Sequence, residues 1–213
     1  MVDLGYTDSY DDEDIKPEAD LEEADLKQAD LEEADLKQAD LKEANLKGAN
    51  LREADLKKAD LSDANLEDAD LFGAELEKAD LSEATLKDTS LFSADLSSAE
   101  LTHADLTRAE LNLAELRHAD LHNAELFEAE LFEADLEGAD LKGANLKETN
   151  LRGAKLERAN LSRADLTNAD LRGIDVSGAD LMRTTVVDHT GEEEVYATKQ
   201  ILHNRGAILY PTE

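Results

Sequence analysis

The chain has 213 residues with 53 Asp or Glu against 22 Lys or Arg, a net charge of −31, and no Cys. Disulfide frameworks, thiolate metal sites and Cys nucleophiles are therefore excluded. Direct contact with nucleic acid or an anionic membrane is not expected either, since both need clustered Lys and Arg. Aromatic residues are 4% of the chain and Trp is absent, which argues against a globular core built on large rings. The start MVDLGYTDSYDDED lacks the apolar stretch of a signal peptide, and no apolar run approaches the ~20 residues of a membrane span. A soluble, cytoplasmic protein is expected.

Residues 1–18 hold seven acids and one base, Lys16. Largely disordered chain is expected there, with Tyr10 and Ile15 available to fold back over the segment that follows.

From Ala19 the sequence reads ADLEE ADLKQ ADLEE ADLKQ and continues in that register. There are 34 pentapeptides over residues 19–188, with Leu at 32 centres and Val at two, Val176 and Val186. Two positions before each centre stands Ala in 30 units; Thr89, Thr149, Ile174 and Thr184 are the exceptions. A fixed period of this kind takes precedence over local propensity. Five residues on a helix turn by about 500°, so successive centres form no stripe. On a strand, Ala and Leu two apart share a face, but the next Ala falls on the other. Both point inward in every unit only if the chain turns between units. Short extended pieces joined by corners that turn one way make a solenoid whose coils pair at about 4.8 Å.

The tandem A-(D/N)-L-x-x unit resembles the pentapeptide-repeat family over 19–188. That resemblance implies an all-β solenoid, a right-handed quadrilateral β-helix with four pentapeptides per coil, hence about 8.5 coils and a rod roughly 40 Å long. The implied core is Leu and Ala. Each of Thr89, Thr149 and Thr184 then needs a hydroxyl partner inside, or costs about 1–3 kcal/mol.

With four units per coil, residues 20 apart stack. Phe72, Phe92 and Phe132 fall in one column, with Asn112 in the gap and Leu113 beside it, Arg52 below and Arg152 and Arg172 above. This aromatic stripe with basic ends is the candidate interaction surface. Phe127, the remaining Phe, also follows a centre and joins the candidates. Ladder stacking that only holds neighbouring coils together is the structural alternative.

The position before each centre is acidic in 24 units, 18 Asp and 6 Glu. One column runs Asp20, Asp40, Asp60, Asp80, Glu100, Asp120, Asp140. Another runs Asp35, Asp55, Glu75, Asp95, Glu115, Asp135. Asp and Asn there can stabilise corners by side-chain to backbone bonds. The resemblance adds a second reading, because family members that protect DNA gyrase are understood as DNA mimics. This chain departs from them in its Leu centres, unbroken frame and lack of a projecting loop. His103, His118 and His122 lie near one corner and read as solvated side chains rather than metal ligands.

Residues 189–213 read as a cap over the last coil. Thr190 and Glu193 form a capping box, a helix is expected over 191–205, Gly206 ends it, and 207–210 reads as a short strand.

No catalytic constellation, Gly-rich phosphate loop or pocket is visible, so no cofactor and no enzyme activity are expected. The leading expectation is a non-enzymatic interaction module or scaffold with a protein partner, and a homodimer is compatible with it. The alternative is a DNA-mimicking regulator of a nucleic-acid enzyme such as DNA gyrase, a type II topoisomerase.

Overall fold

The computed structural model describes residues 14–186, Leu202 and the strand Ile208–Leu209. Thirty parallel bridges join residues 20 apart, from Asp20↔Asp40 to Asp165↔Thr185. One coil is thus four pentapeptides, and the bridging residues fall into four columns that start at Asp20, Asp25, Asp30 and Asp35. The chain winds as a four-sided β-helical solenoid.

The unit around Leu81 shows why five residues suffice. Asp80 N–H donates back to Ala59 at 3.0 Å, while Leu81 and Glu83 N–H donate forward to Glu100 and Thr102 at 2.7 and 2.9 Å. Ala84 N–H closes the corner on Leu81 C=O at 3.1 Å. The one remaining donor, Ser82 N–H, is taken by Asp80 Oδ1 at 2.9 Å. All five backbone donors of the unit are satisfied, as backbone groups of a folded chain require.

The corner has a conformational cost that the repeat pattern conceals. The residue that precedes each of the 34 units, from Glu18 to Arg183, has φ between 55° and 75°. Only two turn types with a closing bond place positive φ at their third residue. Type I′ requires it at the second residue too, where no described residue has it, so these corners are type II turns. Gly holds the position in seven units; the other 27 place a side chain, mostly long and polar, in the left-handed region.

The inward positions behave as the pattern predicts. Every Leu centre is at most 2% exposed. The three Thr that replace Ala are fully buried and each finds a carbonyl 23 residues back: Thr89 on Leu66 at 2.8 Å, Thr149 on Leu126 at 2.9 Å and Thr184 on Leu161 at 2.6 Å. Ile174, too large for the Ala position, stays partly exposed.

At the start, Glu18 N–H donates to Lys37 C=O and Ile15 packs against the core; residues 1–13 lie outside the described residues. At the other end, β1 (Thr185–Val186) pairs in parallel with β2 (Ile208–Leu209), Thr185 beside Ile208 and Val186 beside Leu209. The strand expected over 207–210 therefore adds a rung to one side of the last coil, after a step of 23 residues instead of 20. The helix expected over 191–205 lies outside the described residues except for Leu202, which is helical and buried in the core.

Candidate functional site

The column through Phe72 is continuous: Glu53 N–H donates to Phe72 C=O, Gly73 to Phe92, Ser93 to Asn112, Leu113 to Phe132, Glu133 to Arg152 and Gly153 to Arg172. The Phe72 and Phe92 rings stack with centroids 5.7 Å apart and planes within 2°. The Arg52 guanidinium lies 4.3 Å from the Phe72 centroid and is held there by Asp70 at 3.0 Å. That adds a cation–π contact to the stack. Arg152 covers Phe132 more loosely, at 5.9 Å. The rings are half-buried, and Leu113 beside them is 42% exposed.

Asn112 interrupts the ladder for a structural reason. Glu130 precedes the Leu131 centre where most units have Asp or Asn, and its side chain makes no bond to the corner. Phe132 N–H donates instead to Asn112 Oδ1, one coil earlier, at 2.9 Å. Phe127 is not part of the stripe. It stands on the neighbouring side, where Arg108 N–H meets its carbonyl and Lys147 follows it.

Near the end of the stripe, Phe132, Glu133, Arg152, Gly153, Arg172 and Gly173 line a groove of about 270 Å³. Gly153 and Gly173 open it, since the corner there carries no side chain. Arg172 is paired with Asp170. A second groove, about 320 Å³, lies where Lys37, Lys57, Lys58 and Lys78 gather with Gln38 and Glu77.

The two acidic columns differ. In the column from Asp20 to Asp140, no carboxylate forms an ion pair among the described residues; its Asp side chains serve the corners, as Asp60 does for Ser62, Asp120 for His122 and Asp140 for Lys142. In the column from Asp35 to Asp135, cations are interleaved. Lys37 bonds Asp55 at 2.6 Å and Lys57 bonds Glu75. Arg117 and Lys155 converge on Asp135 at 2.7 and 3.2 Å. Burial alone would raise the Asp135 pKa; the Arg117, Glu137 and Lys155 bonds outweigh it and hold the carboxyl below its ordinary value. Asp55 shows the same balance, burial opposed chiefly by Lys37.

Among the described residues the three His do not come together as a metal-ligand group. His103 and His122 meet edge to face at 6.5 Å. The carboxylates that do converge, Asp20, Glu22 and Asp40, are all exposed. No described helix is long and apolar enough to cross a membrane.

The sequence pattern described as pentapeptide repeats matches in eight copies over residues 19–57, 49–88, 94–131, 129–167 and 144–183. The chain belongs to the pentapeptide repeat family. Its solved members are right-handed quadrilateral β-helices, so the handedness expected from the resemblance is the family's. Among solved structures, this pentapeptide repeat protein is similar to HetL from the cyanobacterium Nostoc sp. strain PCC 7120, involved in heterocyst differentiation regulation. The two are 36% identical over 80% of this chain and 89% of that one, with a TM-score of 0.52. A second Nostoc PCC 7120 pentapeptide repeat protein, alr5209, is 31% identical over 50% of this chain and 84% of its own, with a TM-score of 0.42. QnrB1, a plasmid-mediated fluoroquinolone resistance protein, is 20% identical over 76% and 90%, with a TM-score of 0.42. No curated protein sequence matches. Members of this family are in general non-enzymatic structural or interaction proteins.

Charge divides this pentapeptide repeat rod in a way the column pattern alone does not reveal. Residues 19–148 hold 36 acids against 13 bases, net −23, whereas residues 149–188 hold six of each. Three of the cations in the neutral coils, Arg152, Arg163 and Arg183, make no ion pair among the described residues.

Proposed function

We propose that this protein is a non-enzymatic interaction module, a rigid cytoplasmic rod that presents the Phe72–Phe92–Phe132 face to a protein partner. The observation that supports this most is the half-buried ring stack capped by Arg52 and flanked by exposed Leu113. Aromatic and Arg side chains on a pre-ordered surface are the usual anchors of an interface. A backbone fixed coil to coil by the ladder of hydrogen bonds lets them bind with little ordering cost. The test is capture of partners from the native host by immobilised protein, compared with Phe92→Glu. Loss of a captured protein is expected; an unchanged set of partners would refute the reading. Circular dichroism should show the variant folded, because position 92 faces outward.

A second reading is favoured by the charge. Residues 19–148 make 6.5 coils, about 31 Å of rod, so the −23 amounts to roughly one net charge per 1.4 Å of axis, against one per ~1.7 Å in duplex DNA. A rod of that charge density would compete with DNA on a nucleic-acid enzyme such as a type II topoisomerase. A supercoiling assay at two salt concentrations tests it. Salt-sensitive inhibition would support mimicry, and no effect at micromolar protein would exclude it.

A further inference from the structure

Next to the Phe column runs the corner column Glu33, Glu53, Gly73, Ser93, Leu113, Glu133, Gly153, Gly173, all with φ between 55° and 73°. Its ends differ in kind. Glu33 and Glu53 project as exposed carboxylates with no ion pair among the described residues. Gly153 and Gly173 leave the groove of about 270 Å³, with Arg152 and Arg172 on its wall. At Gly173 an added Cβ would have nothing nearer than the Gly153 backbone at 3.8 Å, so the notch there is open.

Two rods of the same period, laid antiparallel about a two-fold axis, set each column against itself in reverse order. With the axis level between Phe92 and Asn112, Phe72 meets Phe132 and Phe92 meets Asn112. In the corner column, Glu33 meets Gly173, Glu53 meets Gly153, Glu133 meets Gly73 and Ser93 meets Leu113. Every glycine notch then faces a glutamate, and the two glutamates at one end arrive beside the two arginines at the other. The geometry points to a second copy of this chain as occupant of the Phe face. Glu33 and Glu53 of each copy enter the partner's notches and pair with Arg172 and Arg152. This rests on the reading that the Phe face is a contact surface, and it names the partner.

Three like-charge meetings are offset inside each rod, and in one of them, Asp70 opposite Glu130, Arg52 holds Asp70 and Asn150 donates to Glu130. Arg52 opposite Arg152 is already neutralised by Asp70, and Asp170 opposite Asp30 is held by Arg172. Glu133 leans over Gly153 in the single rod, its Cγ 3.1 Å from where a Cβ would stand. Over Gly73 the nearest side-chain atom is Glu53 Cγ, 3.6 Å from where a Cβ would stand; in the pair Glu53 turns to the partner's Gly153 and the partner's Glu133 takes its place. The net charge of −31 on each copy opposes approach over a Debye length, about 30 Å at 0.01 M salt but about 8 Å at 0.15 M. Pairing is therefore expected to strengthen between those conditions.

Light scattering on the eluting protein at physiological salt should give the mass of two chains. Arg152→Glu with Arg172→Glu in one variant, and Glu33→Arg with Glu53→Arg in another, should each weaken pairing by about 100-fold through four like-charge meetings. Mixing the two variants should restore the dimer, because each then offers the charges that the other lacks. Since the chain has no Cys, Glu53→Cys mixed with Gly153→Cys should form an intermolecular disulfide on oxidation that neither variant forms alone. A parent with the mass of one chain overturns the inference. So does a dimer that neither reversal weakens, or a mixture that fails to recover while both variants keep the parent's circular dichroism. If the parent is monomeric yet Phe92→Glu still loses a captured protein, the dimer falls and the contact role of the face stands. A dimer with no captured protein affected leaves this interface standing and removes the separate partner.

Discussion

The adjacent residues Ser97 and Ser98 allow a controlled test of the corner geometry. They occupy the second and third positions of one type II turn, Ser97 with ordinary φ and its N–H on Asp95 Oδ1 at 2.9 Å, Ser98 with φ of 60°. Glycine at an ordinary position costs roughly 0.5–1 kcal/mol in backbone entropy. A left-handed conformation costs an L-residue about 1–2 kcal/mol, and glycine removes that. Ser97→Gly should therefore destabilise by about 0.5–1 kcal/mol, while Ser98→Gly should stabilise by about 0.5–1 kcal/mol, the relief less the entropy. The backbone bond from position 98 to Arg117 is retained in both. With a urea slope of about 2 kcal/mol/M, the two midpoints should differ by about 0.5–1 M. Urea unfolding followed by circular dichroism reads this directly. Equal loss in both variants would refute the claim that the left-handed corner is a standing cost. The same logic predicts that Lys58→Gly, at a φ of 59° with an exposed side chain, is neutral or stabilising.

Three further outcomes follow from the geometry. Leu101→Ala, at a centre with no exposure, should cost about 3–5 kcal/mol because the backbone ladder prevents the coil from collapsing onto the cavity; a loss under 1 kcal/mol in urea would show a core looser than described. Asp80→Glu should cost about 1 kcal/mol by taking the acceptor from Ser82 N–H, whereas Asp80→Asn should be close to neutral. Asp135→Asn should destabilise by about 2 kcal/mol at neutral pH. Because the folded carboxyl titrates below its unfolded value, the parent's advantage is full above the unfolded pKa and disappears as pH falls through the folded one. A gap between parent and variant that persists in strong acid would refute that assignment.

Much of this architecture was legible because the repeat has no insertion. The inward roles of Ala and Leu, the need of Thr89, Thr149 and Thr184 for hydroxyl partners, and the Phe72–Phe92 stack all follow from a period of five taken four at a time. The left-handed corner was not foreseen, since 27 of its 34 residues are ordinary polar side chains. A signal was nonetheless there: every glycine inside the repeat, from Gly48 to Gly178, holds that one position. Asn112 read as a gap in an aromatic column; its role depends on Glu130 failing to reach the corner, which is a matter of one methylene. The pairing of Arg117 and Lys155 on Asp135 depends on neighbours 18 and 20 residues away, visible only once the coil is closed.

The uniform coil also restricts how such a chain can change length. Loss or gain of one pentapeptide leaves the core intact but rotates everything after it by a quarter turn, moving Phe132, Arg152 and Arg172 off the side that holds Phe72 and Phe92. Whole coils can be added or removed without that rotation, so the gene can lengthen in steps of 60 nucleotides and keep its surfaces aligned. Smaller in-frame steps would preserve the fold while scrambling the faces. Surface alignment, rather than stability, is then what selection on insertions would act upon.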